Sequence, residues 1–315
     1  GSVNTGSDSD LEVGTDLSIT AETLSMTGGS QAFEEILLNT TGAVELTGAI
    51  LNALGGFVLN AGTQLDINGG SLDVGTLATI TAGAALTITN SHHAKFGSLS
   101  LNTSDTVLIS ESWVQSTGDA LLNLTRSLTL VDSSSLQVSA GNLEIDSASL
   151  SATRSSIETT QGSTDLSVTD AIVLTDATVF VGSDLTVASD LLTVSGGDIT
   201  VEGERTTLAV DGQILINSGA VVDLNSTLKL NAGSLTLSGS TFNVENDSNL
   251  TVSGLVLVNS GSSLLLEGNL TANVSDALNV FASTLTVEGT SLIDVAAAVL
   301  LGNGTEFTFN DALTL

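Results

Sequence analysis

The chain lacks cysteine, proline and tyrosine, and it is very poor in basic residues. Of its 315 residues, 35 are acidic and five are Lys or Arg, so the formal net charge is −30. Without cysteine there is no disulfide framework and no thiolate-ligated metal. Nucleic acid is not expected as a partner, because phosphates are bound by Lys and Arg. No run approaches the roughly 18 consecutive apolar residues of a membrane-spanning helix, so no membrane insertion is expected.

Short bursts of alternating apolar and polar residues follow one another along the chain. Examples are Leu185–Val187, Leu192–Val194 and Ile199–Val201, each with a central Thr. Such triplets indicate strands with two inward side chains and one outward side chain. Gly, Ser, Asn and Asp separate the bursts, as turns require. The short spacing leaves no room for helices, so the chain is predicted to be all-β.

The bursts recur in sets of three, here called strands A, B and C, with a period of about 21 residues. In the second half of the chain, B strands begin at Ile172, Leu192, Ile214, Leu235, Val256 and Leu278. In the first half we assign B strands near Ile36, Phe57, Ala78, Val107, Leu128 and Leu150. The step from Ala78 to Val107 is clearly longer than the others, which predicts a loop insertion near residues 90–97.

A period of about 21 residues with three short strands predicts a single right-handed parallel β-helix (a β-solenoid) with three sheets. The length then corresponds to about 14–15 coils, with residues 1–10 as a lead-in and residues 11–315 as one continuous solenoid. The right hand follows from the usual hand of parallel connections. The missing proline fits this fold, because nearly every strand N–H is needed by the neighbouring coil.

Polar residues also recur in the turn that follows each assigned B strand. They are Asn39, Asn60, Ser195, Asn217, Ser238 and Asn259, usually with Gly one or two places later. Asn and Gly tolerate left-handed backbone conformations, so these positions are predicted to be tight corners. Stacked Asn side chains are also expected to hydrogen-bond from coil to coil.

Repeated L-x-V and L-x-I triplets joined by N-x-G and S-G-S turns resemble the shaft of filamentous-haemagglutinin-like exoproteins and related large secreted adhesins. The resemblance covers about residues 11 to 315 and lies in the style of the repeat. It implies a secreted or cell-surface rod that projects binding regions, and hence an extracellular location.

Acidic residues recur before the B strands. Asp170, Asp190 and Asp211 occupy one corner of three successive coils, roughly 5 Å apart by the strand spacing. Like charges at that distance repel by about 1 kcal/mol even in a watery dielectric. Because calcium is bound by Asp oxygens and backbone carbonyls, these three residues are a candidate calcium site that stabilises the stack; the alternative is a solvated acidic surface.

The outward middle positions of the assigned B strands carry large aliphatic side chains more often than those of A or C. They are Leu37, Val58, Leu108, Val173, Leu215 and Leu257. A broken apolar stripe suggests that something lies on it, so we predict that these residues contact another solenoid chain or another segment of the same protein. Scattered, tolerated surface aliphatics are the alternative.

The only histidines, His92 and His93, adjoin Lys95 in the expected insertion, where adjacent side chains point to opposite sides and make poor joint ligands.

The five basic residues are scattered, so no acidic-polysaccharide active site is indicated. The sequence favours a non-enzymatic structural or adhesive rod. It is either a fragment of a longer rod or a subunit that self-associates end to end or through the outward side of its B strands. A module for cell-surface glycans or calcium, a polysaccharide-active enzyme and, least, ice binding by its Thr-x-Thr triplets are the alternatives.

Overall fold

The computed structural model describes residues 2–5, 16–90 and 93–314, and every regular element in these ranges is a β-strand. The chain is a parallel β-solenoid of about 14 turns with about 21 residues per turn. The all-β class and the three-strand repeat are therefore confirmed, while the right hand of the coil stays a prediction. The chain divides into two compact units, unit 1 (Gly1–Gly162) and unit 2 (Ser163–Leu315), and continuity of the solenoid over residues 11–315 stays a prediction.

Unit 1 contains nineteen described strands, most of them four to six residues long. They are β1 (Ser2–Thr5), β2 (Asp16–Ala21), β3 (Thr23–Thr27), β4 (Ser30–Phe33), β5 (Glu35–Thr40), β6 (Val44–Thr47), β7 (Ile50–Ala53), β8 (Phe57–Ala61), β9 (Leu65–Asn68), β10 (Ser71–Ala82), β11 (Leu86–Thr89), β12 (His93–Thr103), β13 (Val107–Ser110), β14 (Trp113–Ser116), β15 (Ala120–Leu124), β16 (Ser127–Val131), β17 (Ser135–Val138), β18 (Leu143–Thr153) and β19 (Ser156–Thr159).

Unit 2 also contains nineteen described strands. They are β20 (Thr164–Thr175), β21 (Thr178–Val181), β22 (Leu185–Ser189), β23 (Leu191–Ser195), β24 (Asp198–Val201), β25 (Arg205–Asn217), β26 (Val221–Leu224), β27 (Thr227–Ser238), β28 (Thr241–Val244), β29 (Ser248–Val252), β30 (Val256–Asn259), β31 (Ser263–Leu266), β32 (Leu270–Val274), β33 (Ala277–Val280), β34 (Thr284–Val287), β35 (Ser291–Val295), β36 (Ala298–Leu301), β37 (Glu306–Phe309) and β38 (Leu313–Thr314).

Within each unit the strands form three parallel stacks, which we call A, B and C in chain order. Stack A of unit 1 contains β2, β5 and β8, stack B contains β1, β3, β6 and β9, and stack C contains β4 and β7. Strand β1 (Ser2–Thr5) thus pairs within stack B, which corrects the predicted lead-in over residues 1–10 for its described part. The long strands turn a corner and join two stacks; β25, for example, pairs with both β22 and β23. Each residue of a strand pairs with its counterpart one coil later, so the pairing register sets the coil length.

The interior is a stack of aliphatic side chains, because the two flanking residues of each triplet point inward. In stack A of unit 1, Ile36, Phe57 and Ala78 follow one another in register and are all buried. The large ring of Phe57 lies beside the small methyl group of Ala78, so neighbouring coils divide the space of this column between them. In unit 2 the same packing leaves an apolar internal cavity of about 30 Å³ bounded by Val194, Ile216 and Phe242 among others.

A left-handed backbone conformation marks the corner between stacks B and C in successive coils. In unit 2 it is adopted by Gly196, Gly239 and Gly261, and also by the non-glycine residues Asp176 and Ala282. Glycine adopts positive φ without steric cost, which explains why it recurs there. The predicted tight corner after strand B is confirmed in unit 2.

The register corrects the predicted insertion near residues 90–97. Ser71 pairs with His93 and Ala78 pairs with Leu99, so this coil has the same length as its neighbours, and residues 93–97 lie in strand β12. The strand at Ala78 belongs to stack A, whereas the strand at Val107 belongs to stack B. The long step from Ala78 to Val107 therefore runs from one stack to another and does not mark an insertion. The two stacks were confused because their triplets have the same pattern.

Candidate interaction surfaces

Stack B of unit 2 contains three of the predicted contact residues, Val173, Leu215 and Leu257. Each is the outward, half-buried middle residue of its strand, flanked by buried residues. Val173 pairs with Thr193, which pairs with Leu215, and Thr236 lies between Leu215 and Leu257. These residues therefore form one straight outward row.

The predicted contact residues of unit 1 do not form one surface, which corrects the sequence assignment. Leu37 and Val58 are paired neighbours on the outside of stack A, continued by Thr79. Leu108 lies on stack B, between Thr87 and Thr129. The strands at Ile36, Phe57 and Ala78 belong to stack A, although the sequence pattern assigned them to the B strands. This misassignment produced both the apparent insertion and the prediction that Leu37 and Val58 share a surface with Leu108.

Asparagine side chains hydrogen-bond from coil to coil in unit 1, which confirms the prediction for Asn39 and Asn60, whereas the side-chain oxygens of Asn217 and Asn259 have no hydrogen-bond partner among the described residues. Asn60 Nδ2 donates to Asn39 Oδ1 at 3.0 Å, and Asn90 Nδ2 donates to Asn68 Oδ1 at 3.3 Å. Asn39 and Asn60 lie at the end of stack A strands rather than in the left-handed corner. Their role is therefore to bridge neighbouring coils.

The three predicted calcium ligands Asp170, Asp190 and Asp211 are exposed and lie at the corner between stacks A and B of unit 2. The main-chain ladder continues through this corner, since the Asp190 N–H donates to the Asp170 carbonyl at 3.0 Å and the Gly212 N–H donates to the Asp190 carbonyl at 2.8 Å. Asp190 and Asp211 border a shallow open groove beside Ser189. In the part of the chain that the structure describes, no three His, Asp or Glu side chains come together as a potential metal site. Calcium at this corner thus stays a prediction.

His93 has a defined contact, whereas His92 lies outside the described residues. The His93 ring meets the Trp113 ring edge to face, with centroids 4.9 Å apart and planes at 87°. Trp113 begins the strand of the next coil, so this pair links two neighbouring coils of stack C. A packing role accounts for His93.

All three arginines pair with an aspartate of the preceding coil. Arg126 lies 3.4 Å from Asp105, Arg154 lies 2.6 Å from Asp132, and Arg205 lies 3.0 Å from Asp184. These contacts were missed in the sequence, although each Asp precedes its Arg by one period of the repeat. Because the partners are solvent-exposed, the pairs locally neutralise the acidic surface and add little stability.

The last strands of unit 2 expose side chains that earlier coils bury. Val258, Val280 and Leu301 form one inward column; the first two are fully buried, whereas Leu301 is 51% exposed. Val299 and Leu313 are exposed in the same way. This edge of unit 2 therefore presents apolar core positions together with unpaired parallel strand edges in the described part of the chain.

The fold and these surfaces define the class of protein: a parallel β-solenoid built from a three-strand repeat. No family model, no curated protein and no solved structure matches the chain. The resemblance to filamentous-haemagglutinin-like exoproteins thus stays a prediction beyond the shared solenoid fold. Among the described residues there is no helix long and apolar enough to cross a membrane.

Proposed function

We propose that the protein is a non-enzymatic structural or adhesive rod of a secreted or cell-surface protein, and that its coils continue into an extracellular fibre by end-to-end contact. The repeat supports this proposal, because each coil offers the next one a complete set of backbone donors, acceptors and apolar side chains. The acidic surface supports it as well, since a charge of −30 keeps such molecules soluble and apart except at low-charge contacts.

The pairing of each coil with the next is the observation that carries the proposal, and strands β36, β37 and β38 show which positions of a coil its neighbour covers. Val299 and Leu301 occupy positions that pair with the buried residues Leu278 and Val280 of the coil before. An open parallel edge with apolar core positions is a template for pairing with a further strand. A further coil of the same kind, whether of the same polypeptide or of a second copy, supplies both the strand and the aliphatic side chains that cover such positions.

The test compares two substitutions of the same type near this edge. Leu301 points inward and Leu292 points outward from stack A, yet their exposed fractions are 51% and 52%. We expect Leu301→Glu to shorten or abolish end-to-end assemblies in electron micrographs and light scattering, because a carboxylate cannot be buried unpaired between two coils.

Leu292→Glu is the matched control and should leave the assemblies as in the wild type. Circular dichroism should show the same β content for both variants. Equal assembly by both variants, or a wild type that stays monomeric at every concentration, contradicts the proposal.

A further inference from the structure

Among the described residues of unit 2, which is strongly acidic, stack B carries no charged side chain. Its strands comprise residues 171–175, 191–195, 213–217, 234–238, 256–259, 277–280 and 298–301. By contrast, stack A includes Asp165, Lys229 and Asp294, and stack C includes Asp198 and Asp223. A second acidic molecule of the same kind can thus approach the centre of stack B without meeting charged side chains there, while the exposed Asp170, Asp190 and Asp211 lie along its edge at the corner with stack A.

The outward middle row of this face alternates strictly between apolar and polar residues. In register, the row reads Val173, Thr193, Leu215, Thr236, Leu257, Asn279 and Leu300. Neighbouring coils lie about 4.8 Å apart, so the large aliphatic side chains repeat every ~9.6 Å with a smaller or polar side chain between them. The face is therefore ridged with a period of two coils.

A ridged surface of this period is complementary to itself. If two such faces meet about a two-fold axis that passes midway between two coils, each aliphatic side chain of one copy lies opposite a Thr or Asn of the other. The ridges then interdigitate, as side chains do between packed sheets. A second copy supplies this period, whereas a surface without it leaves gaps between the ridges.

The available area is sufficient for a weak dimer. Seven strands about 4.8 Å apart and about five residues long cover roughly 30 by 17 Å, or about 500 Å² on each copy. The total of about 1,000 Å² is at the lower end of specific protein–protein interfaces. Dimerisation through this face alone is thus expected at high protein concentration and at moderate salt, which screens the remaining acidic charge.

We propose that stack B of unit 2 is a self-association surface on which a second copy of this chain packs face to face. This lateral contact adds to the proposed structural role and uses the outward row of stack B, which ends at Leu300, whereas the end-to-end contact uses the inward side chain of Leu301. Because the two contacts use different residues, their tests fail independently.

The first test adds two negative charges either to stack B or, as a control, to stack A of the same coils. Leu215→Asp with Leu257→Asp changes stack B, and the control Thr207→Asp with Asn249→Asp changes the outward row of stack A. The full chain with Leu301→Glu in the background is studied by sedimentation velocity at physiological salt. We expect the stack B variant to weaken dimerisation at least tenfold and the stack A variant to dimerise like its parent.

A milder variant separates the proposal from a folding defect. Leu215→Thr with Leu257→Thr makes every position of the central row from Thr193 to Asn279 small or polar while keeping good strand formers. It should retain the β signal of the parent and still weaken dimerisation. Dimerisation unchanged by both the Asp and the Thr variants overturns the proposal.

The absence of cysteine allows a direct test of geometry. Thr236→Cys places a single thiol in the middle of the stack B row, and Thr186→Cys places one in the outward row of stack A as control. Across the proposed two-fold axis the two equivalent Cα atoms lie one coil and one sheet spacing apart, about 11 Å, which is too far for a direct disulfide. We therefore expect a bis-maleimide linker of about that length to cross-link Thr236→Cys rapidly and the control slowly. Equal rates, or faster cross-linking of the control, refute face-to-face packing of stack B.

Discussion

The most direct test of the solenoid interior compares two phenylalanines of stack C in unit 2. Phe242 points inward, is fully buried, and lies between Val222 and Leu264 of the neighbouring coils. Phe180 occupies the outward middle position of β21 and is half-buried. Replacing each by Ala removes the same atoms, so the difference in cost reports only on the direction of the side chain.

The expected magnitude for Phe242→Ala follows from burial and from the rigidity of the stack. Losing the burial of one aromatic side chain costs about 1.5–3 kcal/mol. The void cannot collapse easily, because its walls are held by the strand ladders of the coils on both sides and an apolar cavity already adjoins the ring. The total is therefore about 3–5 kcal/mol, as for other Phe-to-Ala changes in cores.

Phe180→Ala should cost about 1 kcal/mol or less, since it leaves no cavity and removes only partly exposed surface. The assay is urea unfolding followed by circular dichroism, with the shift in midpoint as the measured quantity. A clearly lower midpoint for Phe242→Ala alone is expected. Equal shifts for the two variants would refute the assignment of inward and outward positions.

Three further predictions concern other sites of unit 2. Ala282→Gly should raise the unfolding free energy by up to about 1 kcal/mol, because Ala282 has φ of 47° and glycine adopts this conformation without steric cost; an unchanged or lower value in urea unfolding contradicts it. Val194→Ile should raise the melting temperature by filling part of the internal cavity, and a decrease would indicate overpacking. Asp190→Asn should raise the melting temperature in chelator at low salt by relieving repulsion from Asp170 and Asp211. The calcium hypothesis predicts the reverse order in millimolar calcium, and an order that calcium leaves unchanged contradicts that hypothesis.

The repeat and the inward positions could be predicted from the sequence because they are local. The alternation in a triplet such as Leu192–Val194 predicts that its first and third side chains are buried, and in the structure both are. The corner glycines follow from the same reasoning, since positive φ is a property of single residues. The hydrogen bond between Asn60 and Asn39 could be predicted from the repeat period alone, because the two residues are one period apart.

The assignment of each strand to a stack could not be derived reliably from these triplets. Leu37 and Leu108 are each flanked by two aliphatic residues in the sequence, yet one lies on stack A and the other on stack B. Nothing local distinguishes the stacks, because all three use the same apolar alternation and similar turns. A shift of the assignment by one strand is therefore invisible in the sequence, whereas the hydrogen-bond register between coils reveals it.

The sequence by itself determined an acidic solenoid without proline or cysteine and with a regular three-strand period, because composition and alternation act residue by residue. Only the tertiary structure decided which outward residues share a surface, since that depends on the pairing of strands that lie one full coil apart in the chain. It separated Leu37 and Val58 from Leu108, aligned Val173, Leu215 and Leu257 on an uncharged face, and left Leu301 exposed at an open strand edge.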